Sequence, residues 1–417
     1  MTRDKPAKGT RCNLALDAQL HESMARFWQL EHNIRQNTQT PEERYCERHY
    51  ASTYKRNEQG RFIVTLPTRD EQIQKLGDSF EIAVQQFKRL ERRLERNPSM
   101  KKEYNEFMKE YLQLGHMRKL PHDSASKNVR PHCYLPHHCV IKKGSVTTHL
   151  RVVFNASSET TTGISLNDAL MAGPVVQPDV IYILLTLRIF IVVLIADIAK
   201  MYRQILINEA QVPLQRIVWR EHPTEELRIF ELLTLTYGTV PASYLAIQTI
   251  LQLAKLLADR YPKGALMVLK RFYMDNFAGG ARNKEEARIV RDEVANLLHE
   301  GGFILRMWAS NDQNVLSDMA ASLISNHMLE LDKDGTTKTL GVKWNPTEDV
   351  FQYEINVDSS RGYTKRTMLS AIASIFDPLG LLAPVVLTAK IMIQNLWKLK
   401  VGWDESLPSD IYTETRT

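Results

Sequence analysis

The chain has 417 residues, of which 43% are apolar and 24% are charged. This composition is typical of a globular protein rather than a disordered one, and the length predicts two or three subdomains rather than one core. A formal charge of +6 is compatible with a nucleic-acid partner but does not require one. The four cysteines are unevenly spaced and predict no disulfide framework, so a reducing compartment such as the cytoplasm is expected.

Helical patterns separated by short strands fill the first part of the chain. Helices are predicted over 24–32 and over 40–54, where Thr40 is a suitable N-cap and Pro41 a suitable first-turn residue. Alternation predicts a strand over 61–67. The longest helical tract, 78–114, is interrupted at Asn97-Pro98, and its basic run KRLERRLER suits either nucleic acid or solvent. A strand over 149–158 and a helix that starts at Ser165 are expected next.

The apolar run at 179–198 is long enough to be compared with a membrane span. Arg188 at its middle and Asp197 near its end argue against insertion, because a charge at bilayer depth costs roughly 2.5–3.5 kcal/mol. The β-branched stretch at 189–198 is typical of a strand buried on both faces. We therefore expect a helix end near Arg188, then a buried strand, and no membrane partner.

The second half of the chain alternates strands with amphipathic helices. Strands are predicted over 216–220, 227–238, 303–311, 337–344 and 351–357, and helices over 241–261 and 283–302. A short strand-like run at 271–274 ends at Asp275, and the helical tail at 364–401 is broken near Pro378 and Pro384. This order predicts an α+β fold with a central antiparallel sheet crossed by helices.

Residues 130–144, RPHCYLPHHCVIKKG, contain three histidines and two cysteines. These residue types can bind zinc. The C-x5-C spacing with interleaved histidines matches no common structural zinc pattern, however, so zinc is a minor alternative here.

Two carboxylates occupy the ends of predicted strands. Asp197 ends the buried strand, and Asp275 lies at the tip of an apolar hairpin with Asn276 beside it. A central antiparallel sheet would bring Asp197 next to this tip, and two carboxylates that converge on one face suit chemistry with two metal ions. A turn or capping role is the ordinary alternative for a single Asp at such a position.

Distinctive segments occur along nearly the whole chain. Those before Asp197 are GRFIVTLP, LGHMRKL, YLPHHCVIK, LRVVFNASS and SLNDALMAGPVVQPD. Those from Asp197 onward are ADIAKMYRQI, LTYGT, FYMDN, LRMWASN, LGVKWNP and FDPLGLLAPV. In this order they resemble the reverse transcriptase region of the Bel/Pao family of long-terminal-repeat retrotransposons.

The resemblance implies the right-hand architecture of a polymerase, with fingers, palm and thumb around a central antiparallel palm sheet. It implies a helical N-terminal linker segment at 1–58, fingers at 59–180, a palm with metal site and primer-grip hairpin at 181–357, and a truncated, helical, thumb-like segment at 358–417. The implied reaction is RNA-directed DNA polymerisation with two Mg²⁺ or Mn²⁺ ions. The implied partners are an RNA or DNA template with its primer and deoxynucleoside triphosphates, in the cytoplasm or in retrotransposon particles.

The resemblance also assigns the residues of a catalytic site. Asp197 matches the first catalytic aspartate of the family, and Asp275 matches the first aspartate of its Y-x-D-D hairpin; both are implied metal ligands. Asn276 stands where the family has the second aspartate of the hairpin. The site therefore has one negative charge fewer against two divalent cations.

Other positions match residues that contact nucleotide and primer. Tyr202 matches the aromatic residue under the deoxyribose, which would clash with a 2′-hydroxyl, and Arg151 matches the fingers arginine that contacts the triphosphate. Gly238 falls where the backbone approaches template and nucleotide. The hairpin that grips the primer end is matched by Leu340, Gly341 and Trp344. The LPHH run resembles the family's fingers scaffold, which weighs against zinc.

Three further positions depart from the family pattern. Asn155 replaces the usual Asp of its segment, and the order Pro241-Ala242 is reversed. Met307 stands where a Lys is usual, which removes a candidate proton donor to the leaving pyrophosphate. With Asn276, these changes predict impaired polymerase activity.

Two other functions are considered. A nucleic-acid-binding relic without catalysis is favoured by Asn276, Asn155 and Met307, whereas Asp197 and Asp275 favour the polymerase. An aspartic peptidase is suggested by the polyproteins of the family, but the sequence has no Asp-Thr-Gly or Asp-Ser-Gly triplet. No ribonuclease H or integrase signature is recognised, and the chain is expected to be a fragment that ends just past the thumb.

Overall fold

The computed structural model describes residues 39–121, 131–141, 150–325, 337–339, 342–352, 364–375 and 377–407. Within these ranges the fold is mixed α+β, with helices packed against several small sheets that are mainly antiparallel. The predicted α+β class is confirmed. The helix predicted over 24–32 lies outside the described residues.

The described part begins with helix α1 (Pro41–Thr53), which starts where the sequence predicts it. Thr40 and Glu43 form a reciprocal capping box, in which each side chain accepts a hydrogen bond from the other residue's backbone N–H. Strands β1 (Lys55–Arg56) and β2 (Phe62–Val64) and the short helix α2 (Asp70–Gln74) follow. Strand β2 also pairs in parallel with β7 (Leu206–Ile207), which ties this segment to the middle of the chain.

The predicted long helical tract consists of α3 (Phe80–Glu95) and α4 (Pro98–Gln113). Asn97 separates them: its side chain accepts a hydrogen bond from the Met100 N–H and caps α4, while Pro98 occupies the first turn. The two helices pack against the hairpin of β4 (His137–Ile141) and β5 (Leu150–Phe154). They also contact the sheet of β3 (Met117–Lys119), β9 (Arg228–Leu232) and β8 (Arg216–Trp219).

A four-stranded antiparallel sheet lies at the centre of the described chain. Its order is β10 (Phe272–Tyr273), β11 (Asn276–Ala281), β6 (Val192–Ile198) and β12 (Leu305–Ser310). Alternate residues of β6 pack on opposite sides of the sheet, Val192 and Leu194 in the main core and Val193 and Ile195 in a second cluster. This period of two explains why the strand is apolar without interruption.

Helices cover the central sheet. Helices α7 (Pro262–Arg271) and α8 (Lys284–His299) pack on β11, and α6 (Ala242–Leu256) packs on both. Toward the C-terminus, β13 (Thr337–Thr339), β14 (Val342–Asn345) and β15 (Val350–Gln352) form a small antiparallel sheet. The last two helices, α9 (Lys365–Ser374) and α10 (Ala383–Lys398), pack on each other.

The apolar run at 179–198 forms helix α5 (Val180–Leu187) followed by β6, as predicted. In the part of the chain that the structure describes, no helix has the length and apolar character needed to cross a membrane.

The helix predicted from Ser165 is wrong. Residues 165–170 form turns between two isolated bridges, Glu159 with Ser165 and Thr68 with Leu170. Ser165 does accept a hydrogen bond from the Asp168 N–H and donates its own hydroxyl to the Asp168 carboxylate, as an N-cap would. No helix follows because the backbone at 169–171 is hydrogen-bonded to another segment: the Arg69 N–H donates to the Ala169 carbonyl, and the Met171 N–H donates to the Pro67 carbonyl, each at 2.9 Å.

Several element boundaries also differ from the prediction, and the strand predicted over 227–238 ends at Leu232. Arg271 is the last residue of α7 rather than part of a strand, so β10 has only two residues. Pro384 lies in the first turn of α10, where a missing N–H leaves no hydrogen bond unmade, so it starts the helix rather than breaking it.

A buried ion pair joins strands β8 and β9. Arg216 and Glu231 are cross-strand partners whose side chains are 0% and 2% exposed, respectively. Glu231 Oε1 accepts hydrogen bonds from Nε and Nη2 of Arg216, each at 3.0 Å, and Oε2 accepts from Nη2 of Arg118 at 2.8 Å. Both carboxylate oxygens are thus satisfied, as a buried charge requires.

We predict that Glu231→Leu lowers the free energy of unfolding by about 3–5 kcal/mol, because it leaves the Arg216 charge buried without its partner. The double variant Arg216→Met/Glu231→Leu should recover most of this loss. Glu226→Leu, which removes an exposed ion pair with Arg228, is the matched control and should cost less than about 1 kcal/mol. Urea unfolding measures all three. A loss for Glu231→Leu no larger than that of the control would contradict the assigned burial of the pair.

Candidate nucleotidyl-transfer site

Three side chains form a row across one face of the central sheet. Asn276 on β11 and Arg306 on β12 are the cross-strand partners of Asp197 on β6, and directly opposed residues of antiparallel strands project to the same face. Arg306 Nε lies 3.5 Å from Asp197 Oδ2. Asp197 therefore lies between an amide and a guanidinium, near the end of a strand.

The hairpin between β10 and β11 brings Asp275 to this row. Tyr273 pairs with Asn276, so Met274 and Asp275 form a two-residue turn. Met274 has φ of 54°, a conformation that turns of this length usually reserve for Gly, Asn or Asp. The Met274 N–H donates to Gln177 Oε1 at 3.1 Å, and the Ile198 N–H donates to the Asp275 carbonyl at 2.8 Å. These two bonds hold the strained turn against the end of β6.

The two predicted carboxylates interact in this arrangement. Burial, and next the neighbouring charge of Asp275, raise the pKa of Asp197 to about 7, while Arg306 acts in the opposite direction. A hydrogen bond between the two carboxyl groups contributes to the same shift. Asn276 Nδ2 donates to Asp275 Oδ1 at 3.2 Å, so the amide is directed at the carboxylate beside it.

A series of aromatic rings runs from the carboxylates to the β4–β5 hairpin. Burial raises the pKa of the Tyr202 hydroxyl, its hydrogen bond with Ser243 lowers it, and the charge of Asp275 raises it, so Tyr202 is within electrostatic range of the hairpin tip. The ring centroid of Tyr202 lies 6.4 Å from that of Tyr237, and the Tyr237 ring lies 5.6 Å from that of Phe154 on β5. Arg151 on the same strand is exposed and within electrostatic range of the Tyr237 hydroxyl. Tyr202 thus lies at one end of a series of rings that ends on β5, and Arg151 projects from the opposite, exposed face of that strand.

Gly238 lies where this series meets β5. Its φ is 102°, and a Cβ at this position would lie 2.3 Å from the Phe154 carbonyl oxygen. Asn167 holds the loop: its Nδ2 donates to the Gly238 carbonyl at 3.0 Å, and its Oδ1 accepts from the Val240 N–H at 2.9 Å. Both the backbone conformation and the close contact require glycine here.

The residues assigned to the primer grip are only partly described. Leu340 and Gly341 lie outside the described residues. The Trp344 side chain is 0% exposed, belongs to the second cluster with Leu187 of α5, and donates from Nε1 to Asp349 Oδ1 at 3.0 Å. Its ring therefore anchors the hairpin beneath the central sheet, and contact between this hairpin and a primer stays a prediction.

Two residues near the carboxylates were not predicted from the sequence, namely Gln177 and Arg306. Gln177 lies 97 positions before the Met274 N–H that it binds, and no local pattern indicates such a contact. Arg306 precedes a register shift between β12 and β6, and Met307 within that shift has φ of 55°. Only the register of the sheet shows that Arg306 faces Asp197.

Asn155, a predicted departure, accepts a hydrogen bond from the Ser157 N–H at 3.1 Å in the turn after β5.

The oxygen ligands at the sheet end suit a hard divalent cation. Asp197 and Asp275 offer carboxylate oxygens, which Mg²⁺ and Mn²⁺ prefer, and a cation would relieve the repulsion that raises the Asp197 pKa. Over the described ranges, the His, Cys, Asp and Glu side chains form no group of three that could hold a metal ion. The residues present therefore fit a cation shared by two carboxylates, without a third acidic ligand from the described part of the chain.

The histidines and cysteines of residues 131–141 have other contacts. His137 is buried, and its Nε2 is hydrogen-bonded with the Tyr104 hydroxyl at 2.7 Å. Cys133 and Cys139 are buried free thiols. These side chains occupy packing positions between α3, α4 and the β4–β5 hairpin.

A family model described as a Pao retrotransposon-like RNaseH-like domain matches residues 364–417. The match includes the segment FDPLGLLAPV and the helices α9 and α10. It confirms the relationship to Pao retrotransposons that the sequence motifs indicate, and it supports a segment of a retroelement polyprotein. The motifs had shown no ribonuclease H signature, so the sequence interpretation missed this feature of the last 54 residues. The thumb-like role of this segment stays a prediction.

Two solved structures are similar to the chain at low identity. The foamy viral protease-reverse transcriptase in complex with an RNA/DNA hybrid aligns at 14% identity and a TM-score of 0.47, over 72% of this chain and 34% of that chain. A selenomethionine-labelled CSH mutant of the Prototype Foamy Virus protease-reverse transcriptase aligns at 14% identity and a TM-score of 0.37, over 50% and 24%. The chain thus spans about a third or less of these proteins. No curated protein matches the sequence.

The raised pKa of Asp197 predicts a pH-dependent stability. Folded Asp197 keeps its proton up to about pH 7, whereas an unfolded Asp loses it near pH 4. The metal-free folded state should therefore lose stability relative to the unfolded state as the pH rises over this range. We predict that Asp197→Asn raises the free energy of unfolding by about 1–3 kcal/mol at pH 8 and has little effect at pH 4.5.

Urea unfolding in EDTA at both pH values measures this difference, with the exposed Asp259→Asn as the matched control. Equal effects of Asp197→Asn at the two pH values would show that Asp197 ionises in the ordinary acidic range.

Proposed function

We propose that the chain is the reverse transcriptase region of a Pao-like retrotransposon polyprotein, an RNA-directed DNA polymerase with an impaired catalytic site. In this proposal residues 59–180 are the fingers, 181–357 the palm with the central sheet as its floor, and 358–417 the start of a thumb-like segment. The family match at 364–417 supports the retroelement origin. The polymerase activity itself rests on the geometry at the sheet end.

The observation that carries the proposal is the convergence of Asp197 and Asp275. Two carboxylates from separate elements interact beside each other although burial and like charge oppose this. A strained turn at Met274 and a hydrogen bond from Ile198 maintain the contact. Strain and perturbed ionisation concentrated at one place are typical of a functional site rather than of a packing position.

Asp197 and Asp275 would hold divalent cations, Mg²⁺ or Mn²⁺. The bound cations would supply Lewis acidity to the attacking 3′-oxygen and charge neutralisation to the leaving pyrophosphate. Within the protein, the β6–β11 pairing orients both carboxylates, and Arg306 limits their repulsion by its ion pair with Asp197.

Tyr202 and Arg151 fit the two ends of a nucleotide. Tyr202 lies near Asp275, half-buried, with its hydroxyl 3.3 Å from Ser243 Oγ. A ring fixed in this way suits the floor beneath a deoxyribose. Arg151 is exposed on β5, and its planar guanidinium suits the bidentate binding of phosphate.

Asn276 is the reason for proposing impaired activity. Its amide is the cross-strand neighbour of Asp197 and donates to Asp275. A carboxylate at this position would add a third negative charge to the cation site, and the amide adds none. The same observation favours a second candidate function, a nucleic-acid-binding relic that has lost catalysis.

We predict that the unmodified chain binds primer–template but extends the primer poorly, and that Asn276→Asp raises the extension rate by at least about tenfold, since losing one charged group at such a site commonly costs a factor of ~10²–10³. Recovery should be partial because Met307 and Asn155 still differ from the family pattern. Primer–template affinity should change less than about threefold, because it depends on contacts to many phosphates.

The measurements are primer extension with Mg²⁺ and with Mn²⁺, and primer–template affinity across a salt series. Asn105→Asp adds the same charge on α4, away from the carboxylates, and should change neither. Asp275→Asn, added to the Asn276→Asp variant, should abolish the extension that Asn276→Asp gains. Robust Mg²⁺-dependent extension by the unmodified chain would refute the impaired site, and loss of both binding and extension in all variants would refute the relic as well.

We predict that Tyr202→Ala, made together with Asn276→Asp, raises the incorporation of ribonucleotides relative to deoxyribonucleotides by about 10–100-fold, because it opens space for a 2′-hydroxyl. Tyr202→Phe keeps the ring and loses only the contact with Ser243, so it should preserve discrimination. Single-nucleotide incorporation measures the ratio. If the alanine variant discriminates as well as the phenylalanine variant, Tyr202 does not select the sugar.

A further inference from the structure

Four arginines form one exposed face of helix α3. Arg89, Arg92, Arg93 and Arg96 recur at i, i+3, i+4 and i+7, the spacing of residues on one side of an α-helix, and all four are exposed. Together with Asn97, Met100 and Ile141 they line an open groove with a volume of about 630 Å³. We refer to it as the arginine groove.

The acidic residues of α3 do not neutralise this face. Glu91 pairs with Arg220 at 2.8 Å, and Glu95 pairs with Lys101 at 2.7 Å. Among the residues that the structure describes, the four arginines form no ion pair with a carboxylate. Like charges at i, i+4 destabilise a helix. The arginine face therefore lowers the stability of α3, and no carboxylate among the described residues offsets this loss by pairing with it.

One further carboxylate lies near the arginine groove. Glu103 on α4 and Arg93 both act on the pKa of the buried Cys139 thiol, which burial raises. Glu103 does not line the groove. The four arginines therefore leave the groove strongly positive.

The arginine groove adjoins the strand that carries Arg151. Ile141, which lines the groove, pairs with Leu150, and Val140 pairs with Arg151 in the next register position. Neighbouring strands lie about 4.8 Å apart. A single two-stranded ribbon thus bears one wall of the arginine groove on one face and, on its opposite face, the residue proposed to bind the triphosphate.

We infer that the arginine groove binds the phosphates of single-stranded template, an inference that rests on the proposed function. The rise from Arg89 to Arg96 is about 10 Å, close to that of three stacked nucleotides of one strand. The volume is in the range of sites for drug-sized molecules, which suits one strand and not a duplex. Arginine forks match phosphate oxygens bidentately.

The test compares two labelled primer–templates, one blunt and one with a 5′ template overhang of six thymidines, in EDTA without nucleotides. For the overhang substrate, Arg92→Gln/Arg93→Gln should reduce the slope of log affinity against log salt by roughly 1.4, and lower the affinity at 0.1 M salt by roughly 25-fold, at ~0.7 per lost contact to a single strand. Affinity for the blunt duplex should stay within about twofold.

Two matched variants accompany this measurement. Arg44→Gln/Arg48→Gln removes the same charge from an exposed part of α1 and should leave the overhang effect intact. Arg92→Lys/Arg93→Lys keeps the charge and should retain most of the affinity. Circular dichroism melting checks that each variant is folded.

Equal losses for blunt and overhang substrates, or an equal effect of the α1 variant, would overturn the inference. So would displacement of the overhang substrate by poly-glutamate as readily as by oligothymidine of the same charge, because the groove would then accept an acidic protein. The affinity assay requires no catalysis. If the Asn276→Asp variant does not extend the primer but the overhang effect is intact, the polymerase is refuted and the groove is kept. If that variant extends the primer and the overhang effect is absent, the groove is refuted and the polymerase is kept.

Discussion

The contact between two like-charged carboxyl groups, Asp197 and Asp275, is the constraint on which the proposed site depends. The contact is electrostatically unfavourable when both groups are ionised. Burial, and next the charge of Asp275, raise the pKa of Asp197 to about 7. The contact is maintained by the folding of apolar segments. Strand β6 is buried on both faces, and its pairing with β11 carries the hairpin tip to the end of the strand. The free energy of burying apolar surface therefore holds together charges that would otherwise separate.

Two neighbours reduce this repulsion in different ways. Arg306 contributes a positive charge at 3.5 Å from Asp197, while Asn276 contributes a neutral amide whose nitrogen donates to Asp275. Both residues stabilise the metal-free protein and weaken the attraction for a divalent cation. Arg306 does so by pairing with the Asp197 carboxylate, and Asn276 does so because its amide carries no negative charge. Stability of the metal-free fold and affinity for cations are thus opposed at the same three side chains. With Asn276, the metal-free fold is more stable and the affinity for cations is lower than with a second aspartate in the hairpin.

Much of the local structure followed from the sequence because it depends on nearby residues. Neighbouring residues in the sequence determine three of these features: the cap at Thr40, the break at Asn97-Pro98 and the burial of β6 on both faces. Asp197 and Asp275 could be proposed because both end apolar strands and match family motifs. The positions of Arg306, Gln177 and the Trp344 ring could not, since they depend on strand register and on contacts between distant segments. The turn at Ser165 was misjudged because a local cap resembles a helix start even when the following backbone bonds to a distant segment, here residues 67–69.

The carboxylates and the arginine groove share one electrostatic feature. In each, groups of like charge lie close together and are only partly neutralised. Glu91 and Glu95 pair with cations other than the four arginines, and Arg306 forms an ion pair with only one of the two carboxylates, Asp197. Unneutralised charge of this kind lowers the stability of the free protein and raises its affinity for a ligand of opposite sign. A cation at the sheet end and a phosphate chain along α3 would each relieve one of the two repulsions. The β4–β5 ribbon carries Arg151 on one face and contributes Ile141 to the groove on the other. The proposed cation and the proposed phosphate chain are thus favoured by the same physical cause, the close placement of like charges.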